Sequence, residues 1–123
     1  DITRASMDFE AAKAVCRTFP GATEDLKWGE VTVFSVGGKM FAATNADLPA
    51  RRISFKVDDD RFLELTDRPG IIPAPYMARL KWVYTDDTRS LSDSEAALLL
   101  RRSYELAFSK MTKKMQREIG EST

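Results

Sequence analysis

The sequence predicts an α+β fold, in which a twisted antiparallel sheet of about five strands carries the N- and C-terminal helices on one face. The predicted order is α-β-β-β-β-α-β-α. Two β-rich runs flank Gly37-Gly38, residues 52–57 alternate polar and apolar side chains, and apolar residues recur at helical spacing near both ends. With 123 residues, 43% of them hydrophobic, the chain can bury one core. We predict a single domain over 1–123, with residues 1–5 disordered or foreign to it.

The first helix is predicted over residues 7–19, with Ser6 as its N-cap and Pro20-Gly21 as its end. One helical stripe collects the apolar side chains of this segment: Phe9, Ala12, Cys16 and Phe19. A reactive thiol needs an accessible, electropositive setting, whereas a cysteine on an apolar stripe is usually buried. We therefore interpret Cys16 as a core residue and not as a nucleophile.

Three strands are predicted after the first helix. The first contains Leu26 and Trp28, and the runs 31–36 and 39–44 form a hairpin, because Gly37-Gly38 supplies the positive φ of a tight β-turn. After a loop over 46–50, residues 52–57 form a fourth strand with two faces. The core face holds Ile53, Phe55 and Val57, and the solvent face holds Arg52, Ser54 and Lys56.

Asp58-Asp59-Asp60 is predicted to cap a short second helix over 61–65, because carboxylates favour the unpaired amides of a helix N-terminus. A divalent-cation site is the alternative, but the triplet lacks the alternating acidic spacing of an EF-hand loop. Residues 69–76, with three prolines, are predicted to form a stiff connector. They lead to a fifth strand over 81–85, in which Trp82 and Tyr84 are predicted to face the core.

The last predicted element is one long helix that opens with a capping box at residues 92–95 and runs to about Ile119, where Gly120 ends it. Apolar side chains recur along it at helical spacing: Ala97, Leu100, Tyr104, Ala107, Phe108, Met111, Met115 and Ile119.

The composition excludes several classes of function. Without His there is no imidazole for a catalytic triad or a histidine-containing zinc site, and one Cys cannot form an internal disulfide. No nucleophile–base pair, phosphate-cradling glycine loop or metal-ligand spacing occurs, so we predict a non-catalytic protein without metal or cofactor. The 19 basic and 19 acidic residues balance, so only a local patch could attract a polyanion. No apolar run spans a bilayer, and we expect a cytoplasmic protein without membrane contact.

Several sequence blocks resemble the MmcQ/YjbR family in their order and spacing: 19–29, 33–41, 69–77, 81–83 and 103–104. The resemblance spans nearly the whole chain and implies a bacterial protein with a compact CyaY-like fold and a DNA-binding role through a "double wing". It supplies no catalytic residue. The related frataxins bind iron through an acidic ridge, but here the first helix offers only Asp8 and Glu10 among Lys13 and Arg17, so iron is not expected.

Two basic clusters are candidates for contact with a nucleic acid. The first is a helical face that carries Lys110, Lys113, Lys114 and Arg117, within a segment free of acidic residues. The second is the outer sheet face with Arg52, Lys56 and Lys81, together with Arg51 and Arg79 in adjoining loops. For the helix, a competing structural interpretation is that cations near a C-terminus complement the helix macrodipole and need no ligand.

The alternative function is a protein-interaction or small-ligand-binding module, with a monomer favoured. Its partner would occupy the outer sheet face or the loop 71–77. A continuous positive stripe would favour a nucleic acid, a concave apolar pocket with a few polar groups would favour a ligand, and mixed charge would favour a protein. Enzymatic activity is the third hypothesis and the weakest, because the tyrosines, lysines and carboxylates form no recognisable constellation.

Overall fold

The computed structural model describes residues 9–27, 31–45, 52–74, 78–85 and 91–121. The chain forms an α+β fold, as predicted. Its helices are α1 (Phe9–Thr18), α2 (Asp59–Thr66), α3 (Asp93–Ser109) and α4 (Lys113–Glu121), with a 3₁₀ turn at Ala78–Leu80. Its strands are β1 (Ala22–Lys27), β2 (Val31–Val36), β3 (Lys39–Asn45), β4 (Arg52–Lys56), β5 (Ile71–Pro73) and β6 (Trp82–Thr85). Predictions for Ser6, Trp28, Arg51 and residues 1–5, 46–50 and 75–77 lie outside the described residues.

All six strands belong to one antiparallel sheet in the order β1-β2-β3-β4-β6-β5. Helices α1 and α3 pack against each other and against one face of the sheet, with α3 crossing β2, β3 and β4. The core lies between that face and the two helices. Within the described residues, no helix is long and apolar enough to cross a membrane.

The helix-bearing face of the sheet contains the predicted core residues of β4. Ile53 and Phe55 are fully buried, and the predicted stripe of α1 places Ala12, Cys16 and Phe19 in the same cluster. Burial raises the pKa of the Cys16 thiol to about 12, because the thiolate would lose its hydration. The prediction of a buried, structural Cys16 is confirmed.

The proline-rich connector was predicted to have no strand, which is wrong for its first part. Ile71–Pro73 forms β5, whose residues pair with Val83 to Thr85 of β6. Pro73 is tolerated because β5 lies at the sheet edge, where a missing N–H leaves no neighbouring strand unpaired.

The predicted orientation of β6 is also wrong. Phe55 pairs with Val83 and Ile53 with Thr85, so Val83 and Thr85 face the core. Trp82 and Tyr84 therefore lie on the opposite face, although Trp82 is only 4% exposed. The strand begins after Lys81, which has a φ of 64°, so Lys81 does not continue its alternation.

The predicted long C-terminal helix is two helices. α3 ends at Ser109, and the Thr112 hydroxyl then accepts a hydrogen bond from the Met115 N–H, 3.2 Å away, which caps α4. The apolar spacing continues through the break because Met111 is buried at the corner. Hydrophobic periodicity therefore did not reveal the change of axis.

The two predicted N-caps that lie within the described residues differ. The Ser92 hydroxyl accepts a hydrogen bond from the Glu95 N–H at 3.2 Å, so the cap of α3 is confirmed. Asp58 occupies the N-cap position of α2, but its side chain makes no capping hydrogen bond. Its two carboxylate oxygens instead accept from Arg102 at 2.8 and 2.9 Å. A bidentate, charge-assisted pair competes successfully with a single cap bond.

Candidate nucleic-acid interface

One end of the sheet gathers cations from both predicted basic clusters. β3 begins there, β4 ends there at Lys56, and β6 begins there just after Lys81. The Gly37-Gly38 turn between β2 and β3 extends beyond this end of the sheet. The turn lies against the corner between α3 and α4, since a Cβ at Gly37 would lie only 2.7 Å from the Met111 sulfur.

α4 crosses from that corner towards the turn between α1 and β1. Ile119 faces this turn, because a Cβ at Gly21 would lie 3.0 Å from the Ile119 Cγ2. Gln116 faces the same way, and its Nε2 donates to the carbonyl oxygens of Phe108 and Met111, each at 3.1 Å. These contacts fix the rotation of α4 about its axis and leave an outward face with the exposed side chains of Lys113, Lys114 and Arg117.

The exposed cations of this region have no ion-pair partner among the described residues. This holds for Lys113, Lys114 and Arg117 of α4 and for Lys110 at the end of α3, and we call these four together the α4 cations. Five arginines of the described part of the chain are paired within the fold: Arg17 with Glu24, Arg61 with Glu64, Arg68 with Glu64 and Glu95, Arg101 with Glu105, and Arg102 with Asp58 and Glu105. The α4 cations are therefore available to an external anion.

The cations predicted on the outer sheet face are more engaged. The Lys56 ammonium donates to the Leu80 carbonyl, and the Lys81 ammonium lies 5.2 Å from the centroid of the Phe62 ring. Lys56 also shares an open cavity with the carboxylates of residues 58–60, which oppose the approach of an anion. Arg79 is exposed, whereas Arg51 and the side chain of Arg52 lie outside the description.

Lys39 was not singled out from the sequence. It directly follows the Gly37-Gly38 turn, is exposed, and forms no ion pair with a described residue. Its position at a hairpin turn was visible in the sequence, but its proximity to the C-terminal helices was not.

The comparisons with known proteins identify the family. The YjbR family model matches residues 17–106. The chain belongs to the YjbR family. Among solved structures, Deinococcus radiodurans protein DR2400, which has the DUF419 domain, matches with 28% identity and a TM-score of 0.81, over 94% of this chain and 90% of its own. A Pseudomonas syringae protein shares the fold with 22% identity and a TM-score of 0.68, over 82% of this chain and 99% of its own. No curated protein matches significantly.

The YjbR match ends within α3 and divides the candidate residues. Lys56 and Lys81 lie inside the matched region, and the α4 cations lie beyond it. The family match therefore covers the sheet and most of α3, while the charge of α4 must be argued from this chain alone.

Two buried hydroxyl groups of this YjbR domain have structural partners. The Ser103 hydroxyl donates to the Phe41 carbonyl at 2.6 Å and accepts from the Lys56 N–H at 3.0 Å, so it bridges β3 and β4 where their ladder ends. The Tyr104 hydroxyl donates to the Pro20 carbonyl. Among the described residues, no group of three or more His, Cys, Asp or Glu side chains could hold a metal ion.

A shallow apolar groove lies beside α4. It has a volume of about 200 Å³ and is lined by Pro20, Tyr104, Glu105, Phe108, Ile119 and Gly120. The Tyr104 and Phe108 rings lie 5.9 Å apart in the wall. This volume is below the roughly 300 Å³ at which drug-sized ligand sites begin, so the groove could take one small ring.

Proposed function

We propose that this YjbR-family domain binds duplex DNA weakly and without sequence preference, through contacts between the α4 cations and backbone phosphates. The placement of Lys113 and Lys114 in the first turn of α4 is the observation that supports this most. The macrodipole disfavours cations there by about 0.3–1 kcal/mol each. Neither the dipole nor an ion pair with a described residue stabilises these lysines, whereas a bound phosphate would interact favourably with both the lysines and the dipole.

The helix break also weakens the competing structural interpretation. Lys110 caps α3, where a cation does complement the dipole. Lys113 and Lys114 would complement the C-terminal end of a helix dipole only if α3 continued past residue 110, and α3 does not. Arg117 has no carboxylate partner among the described residues, so internal pairing does not explain it either.

The expected binding is dominated by counterion release. Each phosphate contact contributes about 0.9 to the slope of log affinity against log salt, so four contacts give about 3.6. Between 50 and 200 mM salt the affinity would then fall by about 150-fold. With no net charge and no base-reading motif in the sequence, unrelated duplexes should bind equally.

The test is fluorescence anisotropy with several unrelated labelled duplexes over a range of salt concentrations. Replacement of all four α4 cations by Gln should weaken binding to every duplex alike and flatten the slope by about 3 to 4. The matched control replaces the three lysines by Arg, which keeps the charge and should keep the slope. An unchanged slope in the Gln variant, or no binding by the parent protein at low salt, would contradict the proposal.

The apolar groove favours a second candidate function, the binding of a small aromatic ligand. Its wall of Tyr104 and Phe108 offers ring faces, and Glu105 adds a carboxylate at the rim. NMR titration with single-ring aromatic compounds should shift resonances of these residues, and Phe108→Ala should abolish the shifts. Absence of any shift at millimolar ligand would exclude this candidate.

A further inference from the structure

The geometry points to Lys39 as a fifth cation of the same surface, so that a duplex contacts the β2–β3 turn and α4 together. The inference rests on the proposed function and extends the proposed surface to a residue about 70 positions before Lys110 in the sequence. Three observations support it: the face of the sheet on which the Lys39 side chain lies, the packing of Gly37 against Met111, and the lack of a described ion-pair partner for Lys39.

The direction of the Lys39 side chain follows from its strand partner. Lys39 pairs with Val36 across the turn, and paired residues of antiparallel strands point to the same face. Val36 is fully buried in the core on the helix-bearing face. Lys39 therefore leaves the sheet on the side of α3, but at the end of the sheet, where it remains exposed.

The contact between Gly37 and Met111 brings the two elements together. The Met111 sulfur and methyl carbon lie 2.7 and 2.9 Å from the position that a Gly37 Cβ would occupy, so a side chain at residue 37 would force Met111 to move. Gly37 is two residues before Lys39, and Met111 directly follows Lys110. Lys39 and Lys110 are thus exposed cations on either side of one packed contact.

The arrangement fits an extended polyanion better than a single phosphate. The nine residues of α4 span about 13 Å, and the β2–β3 turn lengthens the surface beyond the N-terminus of that helix. One phosphate group could contact only part of this surface. A duplex backbone presents charges along its whole length and could contact Lys39 and the α4 cations at once.

Salt-dependent binding tests the contribution of Lys39 directly. Lys39→Gln should flatten the slope of log affinity against log salt by about 0.9. If the variant and the parent bind equally at 1 M salt, this slope makes the variant up to about 15-fold weaker at 50 mM salt. Arg101→Gln is the matched control, because it removes one exposed charge that already pairs with Glu105. Its slope should equal that of the parent. Equal slopes for Lys39→Gln and the parent would overturn the inference.

A footprint gives a second measurement. Cys16 is buried, so Lys39→Cys introduces a thiol whose alkylation can be followed without background. Saturating duplex at low salt should slow its alkylation several-fold and leave the thiol of Arg101→Cys unaffected. If the parent binds DNA but no protection appears, Lys39 lies outside the surface and the proposed function stands. If the parent binds no duplex, both the proposed function and this inference fail.

Discussion

Gly37→Ala and Gly38→Ala should differ in stability although both glycines have the same backbone requirement. Their φ values are 56° and 79°, so an alanine at either position must adopt the left-handed region at a cost of about 1 kcal/mol. A Cβ at Gly37 would also lie 2.7 Å from the Met111 sulfur and 2.9 Å from its methyl carbon, whereas a Cβ at Gly38 has no neighbour within 4 Å. Only Gly37→Ala therefore disturbs the contact between the turn and the α3–α4 corner.

The size of that difference depends on how far Met111 can move. Overpacking costs typically about 1–3 kcal/mol, and a flexible thioether places this case at the lower end. We expect Gly38→Ala to lower the free energy of unfolding by about 1 kcal/mol, and Gly37→Ala to lower it by about 2 kcal/mol. Urea denaturation followed by tryptophan fluorescence measures both values with adequate precision.

A double-mutant cycle then assigns the difference to one contact. In a Met111→Ala background the methionine is gone, so Gly37→Ala should cost no more than Gly38→Ala. The reasoning would be refuted if the two glycine variants were equally unstable in the parent background. It would also be refuted if the extra cost of Gly37→Ala persisted after Met111 had been truncated.

Three further outcomes are expected. The Cys16 thiol should react with alkylating reagents only on unfolding, because burial raises its pKa to about 12; rapid native-state labelling would contradict this. The hydrogen bonds from Arg102 lower the pKa of Asp58, so this pair should stabilise the fold above about pH 4 and lose its effect as the pH falls through the folded-state pKa. The stability gap between the parent and Arg102→Gln should therefore narrow below pH 4 in urea titrations. Ser103→Ala should cost about 1–3 kcal/mol, since two buried backbone groups lose their partner, whereas Ser103→Thr should retain part of the hydrogen bonding if its methyl group fits.

Much of the fold follows from local patterns in the sequence. The turn glycines, the alternation along β4 and the Ser92 cap each have one dominant physical cause, and each was predicted correctly. The errors arise where the structure departs from the local pattern. The Asp58 carboxylate accepts hydrogen bonds from Arg102, which is 44 positions away, and does not cap α2. Lys81 has a positive φ, and the alternation of β6 is shifted by one residue from the predicted one.

The candidate site was predictable only in part. The cations of residues 110–117 were recognised, but an unbroken apolar spacing concealed the break that places two of them at a helix N-terminus. The role inferred for Lys39 depends on the packing of Gly37 against Met111, which no local pattern predicts. A search for exposed lysines next to hairpin turns would have selected Lys39 as a candidate without indicating its neighbours.

The order of the strands also bears on how the molecule avoids adding strands from other copies. Among the described strands, β1 and β5 form the two edges of the sheet, where unpaired backbone groups could recruit another chain. If two β1 strands paired antiparallel about a two-fold axis at Glu24 or at Asp25, that carboxylate would face its own copy, and the like charges would repel. β5 is only three residues long and ends in Pro73, which has no N–H to donate. We therefore expect the sheet to resist fibre-like growth from either side, by charge at one edge and by shortness and proline at the other.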